Sequence, residues 1–356
     1  MTVAGAPTVN EPFDHENAHL QHHRDLETGV NGAGGFAPAA APAVFEQGAT
    51  GGFASGYEAA AGQVTATGKG SAASGFATGT GAAVTASGIG SRAFGYVTGT
   101  NSAIVASAKG GFAAGYGKTG GTVTASTKPG AWAHGYTAGG AAILSSSYGS
   151  FAGGDTDGAG GQITASGSGS IAHGIANTGG MIKAVANGGF AMGRTKAGGL
   201  IQAGSIAADS GCRAGGYSRY TNGKITSSSY GAQAFGYASG YNAALSEIAA
   251  TNWGAFAGGS VYVAAAASHK INATGKGSFA FAAVTSVDCI ASADNAVQFG
   301  PGTNSLANSL AIGERGTGLR LCGAGVPGAP ADGDIWLEAN TIKVRLAGVT
   351  KTVTVA

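Results

Sequence analysis

A six-residue phrase, [Gly/Ser/Ala]-x-Ala-x-Gly-[aromatic], returns about every twenty residues from Gly52 into the low three-hundreds. Ala54 with Gly56, Ala113 with Gly115, Ala133 with Gly135 and Ala311 with Gly313 are four of its copies. Gln298 stands once in the alanine position and Ala282 once in the glycine position. A fixed period of this length marks a quasi-one-dimensional array, in which each unit buries its face only against its neighbours. Paired helices need a longer period, and 68 glycines in 356 residues would ruin helices in any case.

Between successive phrases lies a second run: Gln63-Val64-Thr65-Ala66-Thr67, Ala83-Val84-Thr85-Ala86-Ser87, Thr122-Val123-Thr124-Ala125-Ser126 and Gln162-Ile163-Thr164-Ala165-Ser166. Both runs alternate with period two, so both read as short strands. One repeat is then strand, Gly-rich turn, strand, Gly-rich turn, which is one coil of an all-β parallel solenoid or β-roll. The alternation puts Ala and Gly of the phrase on one face and Val64 with Ala66 on one face. A column that admits only Ala and Gly is one where another backbone comes close. The opposite face of the first strand varies freely, with Phe53, Arg92, Phe112, Trp132, Phe151, Ile171, Phe190, Arg213 and Gln233 at one position, so it faces outward. The interior is expected to be thin, lined by Ala, Gly and one Val or Ile per coil; a close chain-to-chain contact would leave the same signature.

Composition narrows the function classes. Only 10% of residues are charged, and a formal charge of +2 gives no hint of a polyanion, so no nucleic-acid partner is expected. Cys212, Cys289 and Cys322 are odd in number and far apart, which implies no disulfide framework and synthesis where thiols stay reduced. No secretory signal is read at the start, and no apolar run of eighteen or more residues predicts a membrane span. Seventeen acidic residues leave little to pair, so neither a carboxylate pair nor a Ser/His/Asp grouping is suggested, and no enzyme activity or cofactor is expected.

Residues 1–28 read as an attachment segment, with a short helix opening at Asn10-Glu11-Pro12 and stopped by Gly29. Within it His15-Glu16-Asn17-Ala18-His19 matches H-E-x-x-H. A zinc protease needs that helix beneath a cleft with a third ligand beyond, whereas a Gly/Ala linker over 29–51 follows; a solvated or interface helix is the plainer reading.

Tyr57, Phe76, Tyr96, Tyr116, Tyr136, Tyr217 and Tyr237 follow the phrase glycine, an aromatic column on which sugar rings could stack or which simply seals the coil edge. Trp132 adds an exposed ring on the same strand. In the second strand Thr65 and Thr67, Thr85 and Ser87, Thr124 and Ser126, Thr164 and Ser166, and Thr226 and Ser228 form a hydroxyl column of the kind ice-binding solenoids use. Val105, Leu144, Lys183, Val185 and Gln202 interrupt it. Gly153-Gly154-Asp155-Thr156-Asp157-Gly158 has two of the ligands of a calcium loop and reads rather as a turn. His134 and His173 share one column two coils apart, about 10 Å at one strand spacing per coil, too far to share a metal.

Toward the end the period tightens, and Asn308-Ser309-Leu310-Ala311-Ile312-Gly313 resembles the head repeat of trimeric autotransporter adhesins. That resemblance extends over residues 52–313 and implies left-handed parallel β-rolls packed as a homotrimer. Those adhesins carry a secretory signal and a membrane-embedded β-barrel anchor, neither of which is read here. Bacteriophage fibres use the same repeat. The ending, Asp332-Gly333-Asp334-Ile335-Trp336-Leu337-Glu338 with the alternating runs Ile342–Leu346 and Thr350–Val355, is similar to the termini of phage virion fibre proteins. By its own pattern this last part, 314–356, is a three-strand β-meander cap.

The expectation is a trimeric tail or head fibre on the virion surface, made in the host cytoplasm and joined to other virion proteins through residues 1–28. The shaft is 52–313, and a host-surface glycan is met by the exposed aromatics and Trp336. A self-assembling extracellular filament or surface adhesin subunit is the first alternative, and an ice-binding solenoid the second.

Overall fold

The computed structural model describes residues 45–47, 51–206, 209–240, 245–263, 268–312, 335–338, 341–346 and 348–352, and these contain no helix. None of them forms a helix long and apolar enough to cross a membrane, which says nothing of a β-barrel. The helix and the His15–His19 motif expected at the N-terminus lie outside the described residues, as do Gly313 and Cys322. The chain divides into two units, one ending at Ala311 and the other starting at Ile312.

The first unit is a parallel β-solenoid of two sheets, each of fourteen strands. The long-strand sheet runs from Phe53–Ala59 to Leu310–Ile312 and the short-strand sheet from Phe45–Gln47 to Gly302–Asn304. Chain order alternates between them, so each strand pairs with the strand one coil away. At one strand spacing per coil the stack is roughly 60 Å long. The phrase stays in register throughout: Ala113 pairs with Ala133, Gly115 with Gly135, and Ala133 and Gly135 with Ala152 and Gly154. One boundary differs from the sequence reading. Phe45–Gln47, assigned by composition to the linker, is a strand in register with Val64–Ala66, because a free sheet edge accepts any extended backbone.

The core is as thin as expected, and one chain closes it. Ala73, Ala93, Ala113 and Ala133 from the long strands face Val84, Ile104, Val123 and Ile143 from the short strands, all fully buried. The glycine column has a further cause that alternation does not reveal. From Gly56 to Gly259 these residues hold φ between +123° and +151°, a region closed to side chains. A Cβ on Gly115 would meet the carbonyl carbon and amide nitrogen of Gly135 at 2.9 Å, with the carbonyl oxygen closer still. On Gly95 it would also lie 2.7 Å from Ile104 Cδ1. Where Ala282 takes the position, φ is no longer positive and Phe279–Val284 returns to strict in-and-out alternation.

The last coils are shorter, with Cys289–Ala291 paired to Gly302–Asn304 thirteen residues on. The Ile column ends there in Cys289 and Gly302, and two amides, Gln298 and Asn304, take the places of Ala280 and Ala291. Gln298, buried in the alanine column, donates from Nε2 to the Gly300 carbonyl at 3.1 Å. Asn304 donates from Nδ2 to the carbonyls of Val297 at 2.9 Å and Ser309 at 3.2 Å. These bonds satisfy backbone groups that the tightened turn leaves over.

The second unit contains an antiparallel three-stranded meander, Ile335–Glu338, Thr341–Leu346 and Val349–Thr352. This is the strand arrangement that the alternating C-terminal runs predict.

Candidate functional site

Where a long strand runs to seven or eight residues it presents its first, third, fifth and seventh positions outward, so the long-strand sheet carries the side chains most able to recognise a partner. At the fifth position Tyr57, Phe76, Tyr96, Tyr116 and Tyr136 form one unbroken ladder. Ring centroids are 4.7, 4.5, 5.1 and 5.3 Å apart, with planes within 10° of parallel. The spacing follows from the strand spacing, and the parallel planes follow from identical backbone at each rung. Each inner ring has both faces against its neighbours, so the surface receives ring edges and hydroxyls. Asp155 ends the ladder at the next rung. Tyr217 and Tyr237 resume it four coils on, tilted by 48° at 5.4 Å.

Trp132 belongs to the first position and is 49% exposed, edge-on to Phe112 at 5.1 Å and to Phe151 at 6.0 Å. It is thus apart from the Tyr ladder. Trp336 lies on the first strand of the meander, in the other unit.

Two sequence expectations about polar groups are corrected. The histidines at the third position approach more closely than their coil separation suggests. His134 leans over Gly153, where a Cβ would be 2.6 Å from His134 Nδ1, and its ring centroid is 6.3 Å from that of His173. Burial, and then His173, lower the pKa of His134 below its ordinary value. The Gly153 to Asp157 segment is strand rather than turn, part of Phe151–Asp157. Burial, and then Asp157, raise the pKa of Asp155. Among the described residues no three His, Cys, Asp or Glu side chains gather to hold a metal.

On the short-strand sheet the register runs Thr65, Thr85, Val105, Thr124, Leu144, Thr164, Lys183 and Gln202, so the hydroxyl column is broken at four of eight rungs. Cys212 and Cys289 are free and buried, and burial pushes their thiols up to about 11 and about 12. Such thiols fill space and are poor nucleophiles.

The turn tips carry residues that the phrase did not single out. Trp253, 58% exposed, meets Tyr230 edge-on at 5.4 Å and has Lys276 Nζ 5.7 Å from its ring. Lys128 lies similarly over Tyr148 at 5.5 Å. Tyr148, Tyr230, Trp253 and Lys276 each stand four residues before the phrase alanine, which was the available signal.

The class of protein this geometry defines is a repetitive parallel β-solenoid with an outward-facing, side-chain-variable sheet. No protein-family model, curated protein or solved structure matches the chain.

Proposed function

We propose that this chain is the shaft of a fibrous attachment protein without catalytic function, a virion fibre of a bacteriophage, working as a homotrimer. The observation that carries the reading is the unbroken two-sheet stack, in which fourteen strands per sheet repeat one set of columns and the outward positions vary most. A stiff rod with a variable face suits repeated weak contacts, whose avidity exceeds the strength of any one. Self-association is supported by the Asn308–Ile312 stretch, where Leu310 is 60% exposed, and by Leu306 just before it at 70%. Apolar side chains so placed on one short coil are better covered by another copy. The phage assignment is supported by the resemblance of the Asp332–Glu338 segment to fibre termini and by the meander that follows from it.

Light scattering on the purified chain, with negative-stain images of the same sample, tests this reading. A discrete rod near three times 34.0 kDa is expected. A monomer would remove the trimer, and open-ended filaments would put the self-assembling polymer in its place.

A further inference from the structure

The near-neutral net charge conceals a segregation along the chain. Residues 1–58 hold one Arg against seven Asp and Glu, whereas residues 59–287 hold thirteen Lys and Arg against four Asp and Glu. On the sheets most of the basic residues have no basic partner on the next coil: Arg92 stands between Ala72 and Phe112, Lys118 between Thr98 and Ala138, and Lys183 between Thr164 and Gln202. On the long-strand sheet, however, three of them, Arg194, Lys196 and Arg219, meet toward one end of two adjacent strands, Phe190–Lys196 and Arg213–Arg219, while Arg213 stands at the other end against Phe190. The register places Arg194 against Tyr217 and Lys196 directly against Arg219. The strands on either side, Ile171–Asn177 and Gln233–Gly240, contain no acidic residue.

Three features distinguish this cluster from a scatter of solvated charges. Like charges directly opposite one another on neighbouring strands are destabilising, and Lys196 and Arg219 are such a pair. The chain avoids this on its other sheet, where the register Lys224, Glu247, Lys270 alternates in sign. Second, the nearest acid in sequence is already engaged: Asp209 Oδ2 accepts from the amide and hydroxyl of Ser205, each at 2.9 Å. Among the described residues the one ion pair is His269 with Asp288, elsewhere in the stack. Arg219 Nε is buried and has no hydrogen-bond partner. Third, aromatic rings hold the guanidinium groups in place. Arg194 lies 5.8 Å from the Tyr217 ring and Arg219 4.5 Å from Tyr220. Tyr220 adopts φ +66° at a turn position that holds positive φ in other coils too, as Gly79, Gly99, Gly139 and Gly158 in four and as the smaller Ala60, Thr119, Thr178 and Ala197 in four more. A bulky residue in that conformation is strained, and such strain concentrates at functional positions.

We propose that Arg194, Lys196 and Arg219 form a binding site for an anionic polysaccharide, a chain carrying carboxylate or sulfate groups. The guanidinium fork pairs with planar carboxylates and with tetrahedral oxyanions in two-point fashion, and stacking on Tyr217 and Tyr220 removes the entropy cost of ordering it. Nucleic acid fits less well. Single strands are held by stacking bases on open aromatic faces, and here Tyr217 has Arg194 and Tyr237 against it while Tyr220 carries Arg219. This assignment deepens the attachment reading by giving the ligand its chemistry, and rests on it only for where such a glycan is met.

The test is binding of the purified full chain to immobilised alginate and dextran sulfate, with neutral dextran and a duplex oligonucleotide alongside, at low and at high salt. Binding to either anionic polymer is expected, with at least a tenfold loss in the triple variant Arg194→Gln, Lys196→Gln, Arg219→Gln. The two polymers separate carboxylate from sulfate recognition. A charge-matched variant at turn tips, Lys69→Gln, Lys109→Gln, Lys128→Gln, is expected to bind within twofold of the parent. Circular dichroism on both variants checks that the solenoid persists. Absence of binding at low salt, equal losses in the two variants, or tighter binding to the oligonucleotide would each overturn the proposal. Failure of the attachment reading would show separately, as host adsorption that neither the chain nor the polymers compete.

Discussion

Gly115→Ala adds one methyl group and is expected to break the stack at the fourth rung of its glycine column. The residue holds φ +144°, and an L-residue held there costs about 1–3 kcal/mol before any contact is counted. The new Cβ would lie 2.9 Å from two backbone atoms of Gly135 and nearer to its carbonyl oxygen, none of which is the end of a flexible side chain. The escape is the one Ala282 takes, a return to ordinary strand geometry. In mid-stack that would forfeit one or two backbone hydrogen bonds to the next coil, at about 1 kcal/mol each. The strain and the lost bonds together come to about 2–5 kcal/mol. Gly90→Ala is the control: it has φ +63° and open space around its Cβ position, so about 1–2 kcal/mol is expected. Amide hydrogen exchange by mass spectrometry reads this coil by coil, which suits an array whose unfolding need not be two-state. Peptides covering residues 92–145 should lose protection in Gly115→Ala and keep it in Gly90→Ala. If the two variants agree within about 1 kcal/mol, the conformational account of the glycine column is wrong.

Removal of one ring from the ladder, Tyr96→Ala, deletes two parallel stacks, at 4.5 and 5.1 Å, and should cost about 1–3 kcal/mol together with much of the near-ultraviolet circular dichroism. Cys212 and Cys289 should resist alkylation at pH 8 in the native chain and react after denaturation, as mapped by peptide mass. Because burial raises both folded thiol pKa values, to about 11 and about 12, unfolded thiols lose protons first. Stability is then full below about 8.5 and declines as pH rises toward those values. His134 has the opposite sign. Its folded pKa is lowered by burial and by His173, so the unfolded chain binds the proton more tightly and stability declines as pH falls below 6.5. A His134→Gln variant should show a shallower acid decline in the thermal midpoint between pH 7 and 5.

The solenoid was legible in the sequence because its determinants are local and repeated. Ala at one position, Gly two residues on and Val or Ile in the following run are set by strand alternation, and a stack of identical units needs no long-range information beyond the period. Gln298 marked the place where the alanine column changes. What it does there depends on how far the coil has shrunk, which only the register of Cys289–Ala291 with Gly302–Asn304 reveals. The outward face was legible as outward, but its chemistry was not. Sequence placed Tyr57 through Tyr136 in one column; the side-chain planes then decided that their faces close on one another. It put His134 and His173 two coils apart, and the missing side chain of Gly153 let the rings approach. Lys196 and Arg219 are 23 positions apart in the chain, unremarkable beside a net charge of +2, and become neighbours only through the parallel register. The chain's period thus determined the backbone, because every coil meets the same backbone above and below. Side-chain encounters between coils belonged to the tertiary structure, because they depend on which residues vary from one coil to the next and on the direction each one leans.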